Sequence, residues 1–300
     1  MAKIDRLGWA AGLASISYGH RIGLPVSEAG ALKRASECLP PGWKRAARPV
    51  VDCMYSLVVG GQGGRVRRFS LLYRGAERIA RTHDLDSVFE TLAEDLKMHV
   101  AAAAPSRVFV HAGVVGWRGQ AIVLPGRSFA GKSTLVAALV RAGATYYSDE
   151  FAVLDERGRV HPYARPLVLR ARSGESAGRA SKQPTGMPVG KRPLPVRLVA
   201  LTHYMPGEHW RSEALSPGEA VLALMENTVP VRHRPEATLK TLREVVTRAP
   251  VIKGVRGEVE EAVERLLSQP ARTGVASGVF MHDGGGPRPL AAGGEGDGSA

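Results

Sequence analysis

The chain reads as an α/β fold built around a phosphate-binding turn, because three features follow one another without a break. Ala121-Ile-Val-Leu-Pro125 is a short apolar run of the buried-strand type. Gly126-Arg127-Ser128-Phe129-Ala130-Gly131-Lys132-Ser133 fits the pattern G-x-x-x-x-G-K-[ST]. The stretch from Ser133 to Ala142 is then a helix that stops at Gly143. A strand feeding a glycine turn feeding a helix aims backbone N–H groups and the positive helix end at one point, which suits a polyphosphate. The expected binding set is Gly126, Arg127, Ser128, Phe129, Ala130, Gly131, Lys132, Ser133 and Thr134. Within it the glycines permit close backbone approach, Lys132 reaches the β- and γ-phosphates, and the Ser133 hydroxyl ligates Mg2+, so ATP and Mg2+ are the expected cofactors.

The 300 residues carry 44% hydrophobic content, enough for one large or two modest cores. The apolar run from Gly8 to Ile16 is too short for a signal peptide or a membrane span, and none follows, so a cytoplasmic chain with no membrane partner is expected. Cys38 and Cys53 form no C-x-x-C pair and accompany no histidine cluster, which makes them reduced thiols without zinc or redox duty. The formal charge of +13 raises nucleic acid as a partner. The basic residues are scattered, however, with only Arg65-Val-Arg67-Arg68 clustered, and no nucleic-acid-reading motif accompanies them.

Before the loop, strand candidates lie at Ser15–Tyr18, Val50–Val59 and Arg67–Tyr73, with Gly60–Gly64 as a hairpin connection between the last two. Asp86-Ser87-Val-Phe-Glu90 resembles a capping box, and Phe89, Leu92, Leu96 and Val100 recur at helical spacing after it. Pro105 ends that helix and divides an α+β amino-terminal region, 1–105, from a nucleotide domain, 106–270. The nucleotide domain opens with a strand at Arg107–Val110 and a hairpin from Val114 to Val123.

Past the loop helix, Thr145–Tyr147 is a strand that ends in Ser148-Asp149-Glu150, and Phe151–Leu154 and Arg159–His161 flank the turn Glu156-Arg157-Gly158. Arg170 to Pro195 has no hydrophobic period and reads as a mobile loop or a lid. Val196–Tyr204 resumes a buried strand, Ser216-Pro217-Gly-Glu219 is a capping box, and helices follow over Pro235–Ala249 and Gly257–Leu267. The segment 271–300 is Gly-, Pro- and Ala-rich, with no apolar face, and reads as disordered.

Asp149 and Glu150 stand where a phosphate-loop fold sets acids against the bound cation. One would share Mg2+ with Ser133 while the other orients or deprotonates an attacking hydroxyl, and which does which stays open. His111, at the end of a strand, would position the γ-phosphate or relay a proton. Arg165, Arg170, Lys182, Lys191 and Arg192 are candidate cations over the transferring group, with a solvated surface as the simpler account of each.

His111-Ala-Gly-Val-Val with the loop fifteen residues on, then Arg141-Ala-Gly143-Ala and Ser148-Asp149-Glu150, resembles the catalytic domain of HPr kinase/phosphorylase over roughly 108–160. The resemblance implies the compact P-loop kinase architecture shared with ATP-dependent phosphoenolpyruvate carboxykinase, and phosphoryl transfer to a hydroxyl. It implies that His111, Lys132, Ser133, Asp149 and Glu150 surround the γ-phosphate, and that the chain assembles into homo-oligomers. Thr134 stands where the family has Glu, Glu150 stands where it has Asp, and the family's Arg-Gly-Leu-Gly signature has no counterpart. Those departures point away from HPr itself, toward a serine-type hydroxyl on another protein, a peptide or a small molecule. Two other functions fit the loop: a nucleotide-gated regulatory protein without net transfer, and a plain nucleotide hydrolase.

Overall fold

The computed structural model of the chain describes residues 8–63, 66–126, 131–165, 168–169, 181–182 and 187–269. It is a mixed α/β structure with two main sheets, each with its own core, and six α-helices among the described residues.

The first sheet runs over β1 (Ala11–Ser17), β2 (His20–Val26), β3 (Lys44–Arg45), β4 (Cys53–Val58), β7 (Ser70–Arg74) and β8 (Glu77–Thr82), in the order β3-β1-β2-β4-β7-β8. β5 (Gln62–Gly63) and β6 (Val66–Arg67) form a small ribbon beside it. Tyr18 and Gly19 both sit at positive φ, the geometry of the tight turn that joins β1 to β2 without splaying them. The pairing of β2 with β4 is parallel, and α1 (Ala31–Glu37) lies in the connection between them. α2 (Leu85–Ala103) then lays Val88, Phe89, Leu92, Leu96 and Val100 on Ile22, Leu24, Tyr55, Leu57 and Leu72.

After 104–107 the second sheet begins with β9 (Val108–Trp117), which turns at Arg118-Gly119, again at positive φ, into β10 (Gln120–Pro125). α3 (Lys132–Arg141) follows the loop, and β11 (Thr145–Ser148) and β12 (Phe151–Leu154) return to the other edge of β9. β13 (Arg159–His161) pairs with β12 and with the start of β16 (Leu194–Tyr204), while β14 (Val168–Leu169) and β15 (Ser181–Lys182) pair only with each other. β16 also pairs in parallel with β10, so β9, β10, β16, β13 and β12 close a ring. β17 (Arg211–Ala214) and β18 (Val251–Arg256) complete the sheet, with β18 parallel to β16.

Val196–Ala200 are buried without alternation, as a strand covered on both faces requires. One face carries α3 and α6 (Val259–Ser268), through Leu135, Val136, Leu139 and Leu266. The opposite face carries α4 (Pro217–Met225) and α5 (Pro235–Arg248), through Leu224, Leu242 and Val245. Between the two units Phe109, Phe151, Val153 and Tyr163 pack with Ala101 and Ala104, and Tyr18 meets Phe109 edge-on at 5.2 Å.

Several expectations are corrected. The cap of α2 is Asp84, whose carboxylate accepts from the backbone of Asp86 and Ser87, so the helix starts ahead of the proposed Asp86–Glu90 box. The separate pieces Arg107–Val110 and Val114–Val123 are one continuous β9 followed by β10. Strands β2, β8, β17 and β18 and helix α1 stand where none was proposed. Most of the 170–195 loop and all of 271–300 lie outside the described residues.

Gly254 shows how tightly the sheet is built. A Cβ there would lie 1.9 Å from the Arg211 carbonyl oxygen, and backbone has no rotamer to yield. Gly254→Ala is expected to cost about 1–3 kcal/mol, as overpacking does. A fall of several degrees in the melting temperature, with faster amide exchange along β17, checks it.

Candidate functional site

The carboxyl ends of β10, β16 and β18 point the same way, and the chain leaves the first of them toward Gly126. In α/β folds the carboxyl ends of parallel strands are a common place for ligands. Gly126 donates its N–H to the His111 carbonyl at 3.1 Å, which ties the start of the turn to β9. Arg127, Ser128, Phe129 and Ala130 lie outside the described residues. Gly131 caps α3 at φ 71, in the left-handed region where glycine is at ease, and Lys132 and Ser133 open the helix. Thr134, the last of the proposed binding set, is exposed on the outer side of the first turn.

Ser133 Oγ donates to Asp149 Oδ2 at 3.2 Å. The Tyr146 hydroxyl donates to Asp149 Oδ1 at 2.8 Å and lies 3.0 Å from the Arg165 carbonyl. Burial drives the Asp149 carboxyl above its ordinary range; the Tyr146 and Ser133 hydrogen bonds pull the other way without cancelling it, and Glu150 adds to the rise. Lys132 is half-buried beside both acids. Burial lowers its affinity for the proton, and the charges of Asp149 and Glu150 partly offset that.

Glu150 faces elsewhere. Its carboxylate pairs with Lys97 Nζ, and its backbone carbonyl accepts from Ala112 at 3.1 Å. Lys97 comes from α2 of the amino-terminal unit and holds Glu94 Oε2 at 2.5 Å as well. His111 pairs across the ladder with Phe151, their rings 4.7 Å apart, and its N–H donates to the Asn227 carbonyl at 2.7 Å. Burial keeps the His111 imidazole below its ordinary pKa, Lys132 and Lys97 push the same way, and Glu150 and Glu94 oppose them. At neutral pH the ring is neutral.

His111, Lys132, Ser133, Asp149 and Glu150 thus gather at one edge of the sheet. Of the proposed lid cations, Arg165 donates to the Cys38 carbonyl at 3.3 Å, which commits it to the contact between units. Lys191 and Arg192 are exposed, Arg170 lies outside the described residues, and only the backbone of Lys182 is described. Three residues were missed. Tyr146 braces Asp149, Lys97 pairs with Glu150, and Arg256, at the end of β18, donates to the Gly131 carbonyl at 3.3 Å and stacks over Tyr204. No local pattern marks Arg256, since Lys253 and Gly254 break the apolar run before it.

Against known protein families and curated proteins, the chain has no match. Among the described residues no three His, Cys, Asp or Glu side chains form a metal cage, and no helix is long and apolar enough to cross a membrane. Ser133 and Asp149 offer two hard oxygen donors, which suits Mg2+, an ion that keeps few protein ligands and completes its shell with water and phosphate oxygens. The donor set therefore fits.

The raised Asp149 carboxyl makes a sign-definite prediction. Folding disfavours its ionised form, so the cost is absent below the ordinary carboxyl range, grows as pH rises from there toward the raised value, and is fully present above it. Asp149→Asn should melt a few degrees above the wild type at pH 7.5 without nucleotide, and the gap should close near pH 4. A pH series of calorimetric melts reads both.

Proposed function

We propose that the chain is a Mg-ATP-dependent phosphotransferase that moves the γ-phosphoryl group to a hydroxyl. The observation that carries this is the Ser133–Asp149 contact at the amino end of α3, with Lys132 beside it. A hydroxyl, a desolvated acid and a cation around a helix N-terminus match the needs of a triphosphate and its metal. The order of His111, the loop and the acidic pair, which resembles HPr kinase/phosphorylase and its P-loop kinase architecture, supports the same conclusion.

In this reading Ser133 and Asp149 hold Mg2+, which when bound neutralises charge on the phosphate oxygens. Lys132 binds the β- and γ-phosphates. Glu150, the acid not engaged by Ser133 and Tyr146, takes the proton from the acceptor hydroxyl as its oxygen bonds to the γ-phosphorus and the bond to the β-bridging oxygen breaks. His111, neutral at working pH, orients a γ-oxygen by hydrogen bonding. A serine-type side chain on a protein or peptide, or a small alcohol, is the acceptor. A cytoplasmic place of action goes with a reaction that draws on ATP.

Incubation of the full chain with ATP, Mg2+ and a panel of seryl peptides and small alcohols should yield a product heavier by one phosphoryl group. Lys132→Ala should lower both ATP binding and transfer by at least about a hundredfold, the scale of losing a phosphate-stabilising cation. Glu150→Gln should keep ATP affinity and lose turnover. A wild-type chain that binds no ATP sinks the proposal; ATP binding with no transfer to any acceptor or to water leaves the regulatory alternative standing.

A further inference from the structure

The amino-terminal unit reaches the acidic pair by two independent routes. Lys97, projecting from the middle of α2, has only 11% of its side chain exposed and bridges Glu94 to Glu150, whose side chain is 26% exposed. Arg165 binds the carbonyl of Cys38 while its own carbonyl lies against the Tyr146 hydroxyl that braces Asp149. Both acids are therefore backed by groups fixed to the first sheet and its helices. A lysine that served only to join two units could stand anywhere along α2. This one spends its charge on the carboxylate next to the metal-ligand acid, in a partly desolvated setting where ion pairs are screened little.

We propose that Lys97 is a positioning residue for phosphoryl transfer, holding the Glu150 carboxylate in place for the acceptor hydroxyl, so that the amino-terminal unit completes the active centre. The inference rests on the function proposed above. Glu94, 66% exposed, pairs with the same ammonium. The aromatic contact of Tyr18 with Phe109 and the Tyr18 hydroxyl on the Pro162 carbonyl at 3.4 Å hold the two units in the register that this reach requires.

The test uses the full chain with Mg-ATP and water as phosphoryl acceptor. Lys97→Met should lower kcat by about tenfold or more with KM for ATP within about twofold, because nucleotide binding is left to Lys132 and Ser133. Lys97→Arg should restore most of the loss. The double variant Lys97→Met/Glu150→Gln should be no slower than Glu150→Gln alone, since Lys97 acts only through Glu150. Additive losses in the double variant, an equal fall of kcat with a rise of KM, or no rescue by arginine would each overturn the proposal. If Lys97→Met does not fold, Lys97→Gln gives the same comparison, and a wild-type kcat in that variant overturns it too. Amide exchange at Ala112, whose N–H donates to the Glu150 carbonyl, supplies a readout without turnover and should quicken in the Lys97→Met chain. Should the wild type neither bind nor hydrolyse ATP, the kinase reading fails by itself, and exchange at Ala112 still decides whether Lys97 holds the Glu150 segment; unchanged exchange then overturns that as well.

Discussion

The ten residues of β9, eight of them buried, must find partners for their backbone N–H and C=O groups on both edges, because unpaired polar groups inside a protein cost about as much as a lost hydrogen bond. One edge is met by β10 over Gly113–Trp117 and the residues just before. The other is shared by β12 near the start of the strand and β11 near its end. The short gap between β11 and β12 is where Asp149 and Glu150 fall. Neither acid is inside a strand register, so one can turn toward α3 and the other toward α2. His111 stands on β9 opposite Phe151, at the border of that gap, and its carbonyl holds Gly126. The pairing needs of a single strand thus bring the loop, the histidine and the acids within reach of one another.

How much of this was legible follows from the range of each interaction. The loop and its helix are local: the glycines, the lysine and the apolar period lie within one short stretch, and the structure has a strand ending at Pro125 and a helix opening at Lys132. Arg107–Val110 and Val114–Val123 read as separate pieces in the sequence, and Gly113 lies in the break between them. In the fold that glycine instead lets α3 approach, since a Cβ would lie 2.6 Å from Val136 Cγ2. β18 escaped notice because Lys253 and Gly254 interrupt its apolar run, and Gly254 is there to admit the backbone of β17. The pairing of Lys97 with Glu150 spans 53 residues and two units, and no local pattern encodes it.

The tight turns at Tyr18-Gly19 and Arg118-Gly119 show a middle case. Each has a non-glycine residue at φ 50 followed by a glycine at higher φ, the geometry that matches strand twist in a two-residue hairpin. The X-Gly pair signals the turn in the sequence, yet its first member gives no hint that it will accept the left-handed region. Tyr18 accepts it while its ring is held between Phe109 and Tyr163. Packing between the units therefore helps to fix a backbone conformation that local preference would resist.

The parallel pairing of β10 with β16 also sets an order of events during synthesis. β10 can pair with β9 as soon as the turn at Arg118-Gly119 forms, but its second edge waits for Val196–Val199. A ribosome adding roughly 5–20 residues per second leaves that edge open for several seconds. Until it closes, the strand that delivers the glycine-rich segment is a bare sheet edge, apolar from Ala121 to Pro125 and open to a strand from a neighbouring nascent chain. Arg256, which donates to the Gly131 carbonyl, and the last parallel strand arrive later still. Crowding of nascent chains, slow codons or truncation before residue 200 would therefore act on yield through this one open edge, well before any question of catalysis arises.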